Sequence, residues 1–183
     1  KTQKVLVAGS GKSGIGATDL LKKVGAKVII YDGNDKLKEE DVLNKLENKE
    51  GVKVILGELE DSVINEIDIM VLSPGIAIDA PFVLRVKEAG VPIWGEIELA
   101  YVIGKGKLAA ITGTNGKTTT TALVGEIMAN YYDKVDVVGN IGNPYTTTAF
   151  DSTDDTVTVA EISSFQLETI HTFKPDISAV LNI

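Results

Sequence analysis

Residues 112–119 carry the side chains best suited to bind phosphate groups. Their sequence is Thr-Gly-Thr-Asn-Gly-Lys-Thr-Thr, between an apolar stretch that predicts a strand and a stretch that predicts a helix. Glycines let the backbone approach an anion closely, and the amides that open a helix point at it with the helix dipole behind them. We therefore expect this loop to hold the phosphates of a nucleoside triphosphate, ATP.

Two side chains of this loop would act on the phosphates directly. Lys117 would neutralise charge on the β- and γ-phosphates, and the Thr118 hydroxyl would ligate Mg²⁺. The spacing departs from the full phosphate-loop pattern, because Ile111 stands six residues before the lysine in place of a glycine. A helix capped by Thr and Asn is the alternative, but it explains poorly the four consecutive threonines at the helix start. The predicted ATP-binding residues are Gly113, Thr114, Asn115, Gly116, Lys117, Thr118 and Thr119.

A second glycine loop lies near the start of the chain. Gly9-Ser-Gly-Lys-Ser-Gly14 follows a predicted strand and precedes a predicted helix, and Asp32 closes the next strand eighteen residues after Gly14. This is the G-x-G-x-x-G pattern of dinucleotide-binding loops, with an acid at a distance suited to a ribose hydroxyl. The pattern alone does not separate a nucleotide site, an NAD site or a tight turn that needs glycine for helix packing.

Three further features follow predicted strands, where open parallel sheets bind ligands. They are Ser73-Pro-Gly75, the stretch at residues 139–144, and Glu161, which we expect on the same edge as the phosphate loop. Each loop could also be a plain turn, and Glu161 an exposed residue at a helix start. A carboxylate at that edge can hold Mg²⁺ against a triphosphate, since Mg²⁺ takes one or two carboxylates together with phosphate oxygens and waters.

Strands and helices alternate along the whole chain, which predicts the α/β class with parallel sheets. We expect a Rossmann-like domain at residues 1–94, followed by a P-loop α/β ATP-binding domain at residues 95–183 that is truncated at Ile183. The predicted strands are 5–8, 27–31, 52–56, 69–72, 92–94, 108–112, 135–138, 156–160 and 177–182. The predicted helices are 14–24, 37–47, 82–89, 96–103, 117–130 and 164–170.

Composition excludes several classes of function. The net charge of −8 argues against nucleic-acid binding, which needs a basic face. The chain has no cysteine, which excludes disulfides and thiolate chemistry, and its single histidine, His171, cannot build a triad or a His-rich metal site. No apolar run reaches the roughly 18 residues of a membrane span. These features fit a cytoplasmic protein.

Taken together, the motifs resemble the Mur ligases of bacterial peptidoglycan synthesis. The phosphate loop, Gly139-Asn-Ile-Gly142 and Glu161-Ile-Ser-Ser-Phe-Gln-Leu167 occur in the order and approximate spacing of that family, and the last is similar to its D-glutamate-adding branch. The resemblance implies transfer of the ATP γ-phosphate to the carboxylate of UDP-N-acetylmuramoyl-L-alanine. The amine of D-glutamate then displaces phosphate and forms an amide.

The resemblance also implies roles for individual residues. Lys117 and Glu161 would be catalytic, and Thr118 and Glu161 would hold Mg²⁺. The UDP-substrate would contact Lys12, Ser13, Gly14, Asp32, Gly33, Asn34, Ser73, Pro74, Gly75 and Asn140, with Ser163 and Gln166 as weaker candidates. The acceptor domain for D-glutamate would lie outside this sequence, so we expect the 183 residues by themselves not to catalyse ligation. An NAD-linked oxidoreductase and a non-catalytic nucleotide-binding regulatory module remain the alternatives.

Overall fold

The computed structural model describes residues 2–140 and 142–183, which form two compact units, Lys1–Glu96 and Ile97–Ile183. Both units combine a parallel sheet with helices, so the α/β class predicted from the sequence is confirmed. No helix within these described residues is long and apolar enough to cross a membrane.

The first unit is built on a five-stranded parallel sheet with the strand order β3-β2-β1-β4-β5. Because the order reverses at β1, the crevice between the ends of β1 and β4 is the topological switch point where such sheets bind ligands. Its strands are β1 (Lys4–Ala8), β2 (Lys27–Asp32), β3 (Lys53–Leu56), β4 (Ile69–Leu72) and β5 (Ile93–Gly95). Its helices are α1 (Lys12–Lys23), α2 (Glu39–Leu43), α3 (Asp61–Ile64) and α4 (Pro81–Glu88).

This sheet is covered on both faces, as parallel sheets require. Alternate residues of β2 point to opposite sides, so Ile29 and Tyr31 pack in one cluster and Ile30 in another. The first cluster includes Val83 and Val86 of α4. The sequence reads as nearly continuous apolar runs here because each strand must bury both of its faces.

The second unit carries a four-stranded parallel sheet with the order β7-β8-β6-β9. Helix α5 (Glu96–Ile103) begins at the boundary between the units and leads into it. The remaining elements are β6 (Lys107–Thr112), α6 (Lys117–Ala129), β7 (Val135–Gly139), β8 (Val157–Glu161), α7 (Ser164–Leu167) and β9 (Ile177–Val180). Two short 3-10 helices, Tyr145–Thr147 and Ala149–Asp151, lie between β7 and β8.

Strand periodicity fixes which way the side chains of β8 point. Val157 and Val159 pack in a core cluster with Val124 and Met128 of α6. Because side chains two residues apart share a face, Glu161 at the end of β8 also points towards the α6 side. The same alternation that builds the core therefore delivers a carboxylate to the start of α6.

The observed elements differ from the predicted ones mainly in the polar segments. The helix predicted at 37–47 spans only Glu39–Leu43, and the one predicted at 164–170 spans only Ser164–Leu167. Helix α3 and the two 3-10 helices were not predicted, because such short helices leave no periodic apolar pattern. Strand β9 ends at Val180, two residues before its predicted end.

Candidate functional site

The loop between β6 and α6 has the backbone geometry of an anion cradle. Gly116 is the N-cap of α6, with a φ of 83°, and no side chain among the described residues caps the helix. The Thr and Asn caps that would make this an ordinary helix start are therefore not formed. Amides at an uncapped helix start need an acceptor, and a phosphate group supplies one.

Lys117 lies across this loop. Its Nζ donates hydrogen bonds to the carbonyl oxygens of Gly113 at 2.7 Å and Thr114 at 3.3 Å. The ammonium group is thus held beside the backbone that would surround a phosphate. Its predicted contact with the β- and γ-phosphates stays a prediction.

Glu161 meets the start of α6 directly. The Thr118 hydroxyl donates to Glu161 Oε2 at 2.8 Å, and the Asn140 side-chain amide donates to Glu161 Oε1 at 2.9 Å. The glutamate is only 1% exposed, whereas Thr118 and Asn140 are exposed. Within the described residues no Lys or Arg forms an ion pair with Glu161. A buried carboxylate whose partners are all neutral is costly, and a nearby cation would offset that cost.

The oxygens at this point suit Mg²⁺. A carboxylate and a hydroxyl are hard oxygen ligands, and those of Glu161 and Thr118 already lie within 2.8 Å of each other. If a metal ion were bound, these two side chains would hold it beside the phosphate loop.

Asn140 reaches Glu161 because Gly139 permits a tight approach between neighbouring strands. Gly139 has a φ of 109°, and a Cβ there would lie 2.1 Å from the Glu161 carbonyl oxygen. The backbone N–H of Asn140 donates to that same oxygen at 2.9 Å. Ile141, within the predicted Gly139–Gly142 motif, lies outside the described residues.

Ser163 and Gln166, the weaker substrate candidates, bond to each other. The Gln166 N–H donates to Ser163 Oγ at 3.3 Å, and the Ser163 N–H donates to Gln166 Oε1 at 2.8 Å. This reciprocal capping box starts α7 immediately after Glu161. Both residues thus have a local structural role beside the carboxylate, and their contact with substrate stays a prediction.

In the first unit, Asp32 ties together the two loops predicted to hold a nucleotide. Its Oδ2 accepts from the Ser10 N–H at 2.9 Å and the Ser10 hydroxyl at 2.5 Å, and its Oδ1 accepts from the Asn34 N–H at 3.1 Å. Burial raises the pKa of Asp32, but these hydrogen bonds and the charge of Lys45 outweigh it and bring the pKa below its usual range. An ionised carboxylate has about four acceptor positions, so capacity remains for a ribose hydroxyl.

Glycine occupies the three positions of the first loop for different reasons. A Cβ at Gly14 would lie 1.9 Å from the Gly9 carbonyl oxygen, and a Cβ at Gly9 would lie 2.7 Å from Ser73 Oγ. Packing therefore requires glycine at those two positions. A Cβ at Gly11, which caps α1, would meet nothing within 4 Å, so packing gives no reason for glycine there. The open side of Gly11 is where a ligand could approach the backbone.

The remaining predicted residues of this unit follow the carboxyl ends of β1, β2 and β4. Ser73, Pro74 and Gly75 form a turn closed by the Ile76 N–H donating to the Ser73 carbonyl oxygen at 3.0 Å. The Ser73 hydroxyl is buried and has no hydrogen-bond partner among the described residues. Lys12, Ser13, Gly33 and Asn34 stand at the start of α1 and after β2.

Sequence reasoning missed two residues that organise the second unit. Asn182 bonds through its side chain to the backbone of Asn115 in the phosphate loop. Glu98, fully buried on α5, accepts hydrogen bonds from residues 171–173. The available signal for Asn182 was a polar residue just after an apolar strand, and for Glu98 one of two acids on a helix whose other residues are apolar or aromatic. Neither pattern indicates which distant residue the side chain contacts.

Comparison with known families covers both units. The Mur ligase MurD-like N-terminal domain matches residues 3–95, and the Mur ligase middle domain matches residues 111–183. The chain belongs to the Mur ligase family. The family inferred from the sequence motifs is therefore confirmed.

Curated relatives share this assignment at high identity. A protein of Lachnospira eligens named UDP-N-acetylmuramoylalanine--D-glutamate ligase is 58% identical over 184 residues and covers 100% of the chain. Proteins of the same name from Lachnoclostridium phytofermentans and Clostridioides difficile are 56% and 46% identical. The chain spans only about 40% of the length of these Mur ligases.

Solved structures of Mur ligases share the fold. The UDP-N-acetylmuramate:L-alanyl-gamma-D-glutamyl-meso-diaminopimelate ligase of Neisseria meningitides matches with a TM-score of 0.58 at 17% identity, covering 100% of this chain and 61% of that one. The UDP-N-acetylmuramate-alanine ligase of Thermotoga maritima matches with a TM-score of 0.53 at 21% identity, over 97% of this chain and 41% of that one. At such identities the likeness supports the fold alone.

Proposed function

We propose that this chain holds the UDP end of a peptidoglycan precursor in its first unit and the phosphates of ATP in its second. The protein that carries it adds D-glutamate to UDP-N-acetylmuramoyl-L-alanine. The observation that carries the proposal is the buried Glu161 carboxylate, which accepts a hydrogen bond from Thr118 at the uncapped start of α6, next to the glycine loop. The names of the relatives that match the whole chain support the choice of substrates.

The proposed reaction needs positioning and charge stabilisation from the protein. The terminal phosphoryl group passes from ATP to the substrate carboxylate, and the amine of D-glutamate then displaces phosphate from the acyl phosphate. Phosphoryl transfer of this kind is catalysed mainly by electrostatic stabilisation, so no protein nucleophile is required. Mg²⁺ at Glu161 and Thr118 would supply positive charge beside the phosphates. The loop amides bind the phosphate oxygens, and Lys117 adds its ammonium group.

In the first unit, the proposed ligand group is uridine diphosphate. The open side of Gly11 and the start of α1 accept the diphosphate, and Asp32 accepts a ribose hydroxyl. Lys12, Ser13 and Gly14 line the helix start, while Gly33, Asn34 and residues 73–75 complete the crevice. Asn140 belongs to the second unit, where its side-chain amide donates to Glu161, and we propose that it contacts the UDP-substrate.

Calorimetric titration of the chain with MgATP, UDP-N-acetylmuramoyl-L-alanine and NAD tests the proposal. The wild type should bind the first two ligands. Lys117→Ala removes at least one charge-assisted hydrogen bond worth about 1.5–3 kcal/mol, so its affinity for MgATP should fall by roughly 10- to 150-fold or more. Lys105→Ala, an exposed lysine of the same unit, should leave the affinity unchanged.

The metal site has its own readout in the same titration. Glu161→Gln keeps the shape and one oxygen but removes the charge, so the gain in ATP affinity on adding Mg²⁺ should shrink while metal-free binding stays. Unchanged ATP affinity in Lys117→Ala would refute the role of the phosphate loop. Binding of NAD without binding of the UDP-sugar would refute the role of the first unit and favour an oxidoreductase.

A further inference from the structure

The Asn182 side chain pairs with the phosphate loop in both directions. The Asn115 N–H donates to Asn182 Oδ1 at 2.9 Å, and Asn182 Nδ2 donates to the Asn115 carbonyl oxygen at 3.0 Å. The Thr114 N–H adds a longer bond, 3.3 Å, to the Asn182 carbonyl oxygen. The Asn182 carboxamide thus pairs with both backbone polar groups, the N–H and the carbonyl, of Asn115.

These contacts extend the pairing of β6 and β9 beyond the last regular backbone hydrogen bond of the sheet. Strand β9 ends at Val180, and the Leu181 N–H still donates to the Thr112 carbonyl oxygen at 2.9 Å. After Thr112 the chain turns into the loop, and the regular backbone pairing gives way to the longer bond of 3.3 Å between the Thr114 N–H and the Asn182 carbonyl oxygen. The Asn182 carboxamide offers one donor and one acceptor, as a peptide group does, and therefore takes the place of the next strand residue.

The loop is packed directly onto this segment. A Cβ at Gly113 would lie 3.1 Å from both the backbone nitrogen and the carbonyl oxygen of Asn182. At Gly116 a Cβ would lie 3.6 Å from Leu181 Cδ1. Residues 181 and 182 thus lie against both glycines of the loop, and the Asn182 side-chain amide bonds to Asn115, one of the two residues between them.

We infer that Asn182 is a positioning residue that holds the phosphate loop in its anion-binding conformation. The inference rests on the proposed function, since it names what keeps the proposed cradle formed. A loop that forms its cradle only part of the time binds more weakly in proportion to that fraction. The two side-chain bonds are solvent-exposed, so they bias the conformation of the loop far more than they contribute to folding of the whole unit.

Two variants at this position test the inference. Asn182→Ala removes both bonds, and Asn182→Leu removes them while keeping a side chain of similar size. Asn130→Ala is the matched control, because Asn130 also bonds to backbone through its side chain, to the Glu126 carbonyl oxygen at 2.7 Å, but at the other end of α6. Three quantities are measured for each: MgATP and inorganic tripolyphosphate affinity by calorimetry, amide hydrogen exchange at Asn115, and the melting temperature.

Both Asn182 variants should bind MgATP and tripolyphosphate about tenfold more weakly than the wild type. This is the factor expected if the loop adopts its anion-binding conformation one tenth of the time. Exchange at Asn115 should accelerate, and the Asn130 variant should match the wild type in all three measurements. Wild-type affinity in both Asn182 variants, or a lower melting temperature with unchanged affinity, overturns the inference. A wild type that fails to bind MgATP refutes the proposed function instead. The exchange rate at Asn115 then decides the inference alone, and unchanged exchange in the variants overturns it.

Discussion

The buried carboxylate of Glu98 leads to a quantitative prediction for the stability of the second unit. Its Oε2 accepts from the N–H groups of His171 at 2.9 Å and Phe173 at 3.0 Å. Its Oε1 accepts from the Thr172 N–H at 2.7 Å and the Thr172 hydroxyl at 2.6 Å. Glu98→Gln preserves the shape but leaves a single oxygen, so two of the four donors face an amide that is itself a donor: either the N–H groups of His171 and Phe173, or the N–H and hydroxyl of Thr172.

The expected cost follows from counting those two donors. A buried donor that loses its acceptor costs about 1–3 kcal/mol, so the pair costs roughly 2–6 kcal/mol before relaxation. We expect a loss of about 3 kcal/mol in the free energy of unfolding at pH 7, since the exposed segment 171–172 can turn partly to water.

The loss should also depend on pH. Burial raises the pKa of Glu98, but the hydrogen bonds from His171, Thr172 and Phe173 outweigh it, and the pKa lies below its ordinary value. The carboxylate therefore stabilises the fold above the unfolded-state pKa of about 4.3, and this stabilisation disappears as pH falls through the folded-state pKa. Wild type and Glu98→Gln should converge in stability in acid.

Urea denaturation followed by circular dichroism measures the global effect, and amide exchange at residues 171–173 measures the local one. Glu126→Gln makes the same chemical change at an exposed position of the same unit and should stay within about 0.5 kcal/mol of the wild type. If Glu98→Gln matches that control in both measurements at pH 7, the prediction that two donors lose their acceptor is refuted.

The first unit gives three further predictions. Gly14→Ala should destabilise the chain by about 1–3 kcal/mol in urea denaturation, because its Cβ would collide with the Gly9 carbonyl oxygen at 1.9 Å; wild-type stability would contradict this packing. Gly11→Ala should cost less than about 1 kcal/mol, since only a helix cap changes, yet weaken UDP-sugar binding in calorimetry; unchanged binding would place the ligand elsewhere. Asp32→Asn should lower the melting temperature at pH 7 but not in acid, because the Asp32 pKa is depressed and the bonds from Ser10 to its charged form are lost on protonation; a pH-independent difference would contradict this.

Local patterns were enough to predict the framework. The strand at residues 69–72 and the helix at residues 96–103 have the bounds predicted from their apolar runs. The phosphate loop was placed correctly between β6 and α6 because glycine, lysine and threonine mark it in the sequence itself. The expectation that Glu161 shares an edge with that loop follows from the parallel strands, and the bond to Thr118 agrees with it.

Long-range pairing of polar side chains was beyond such patterns. Asn182 meets Asn115 across 67 positions, and Glu98 meets Thr172 across 74. These contacts depend on the order of strands in the sheet and on the exact path of the loops, which composition and periodicity do not specify. The shortness of α7 has a similar origin, because the backbone after it turns to place three donors on Glu98.

The strand order of the second sheet has a consequence for the synthesis of the protein. In the first unit, β1 pairs with β4 on one side, but on the other it pairs with β2, the very next strand to leave the ribosome. In the second unit, β6 pairs with β8 and β9, which begin at residues 157 and 177. The segment at 113–116 therefore emerges long before either of its neighbouring strands exists. Because domains fold from the N-terminus as they are made, the first unit can be complete while this segment is still unstructured nascent chain.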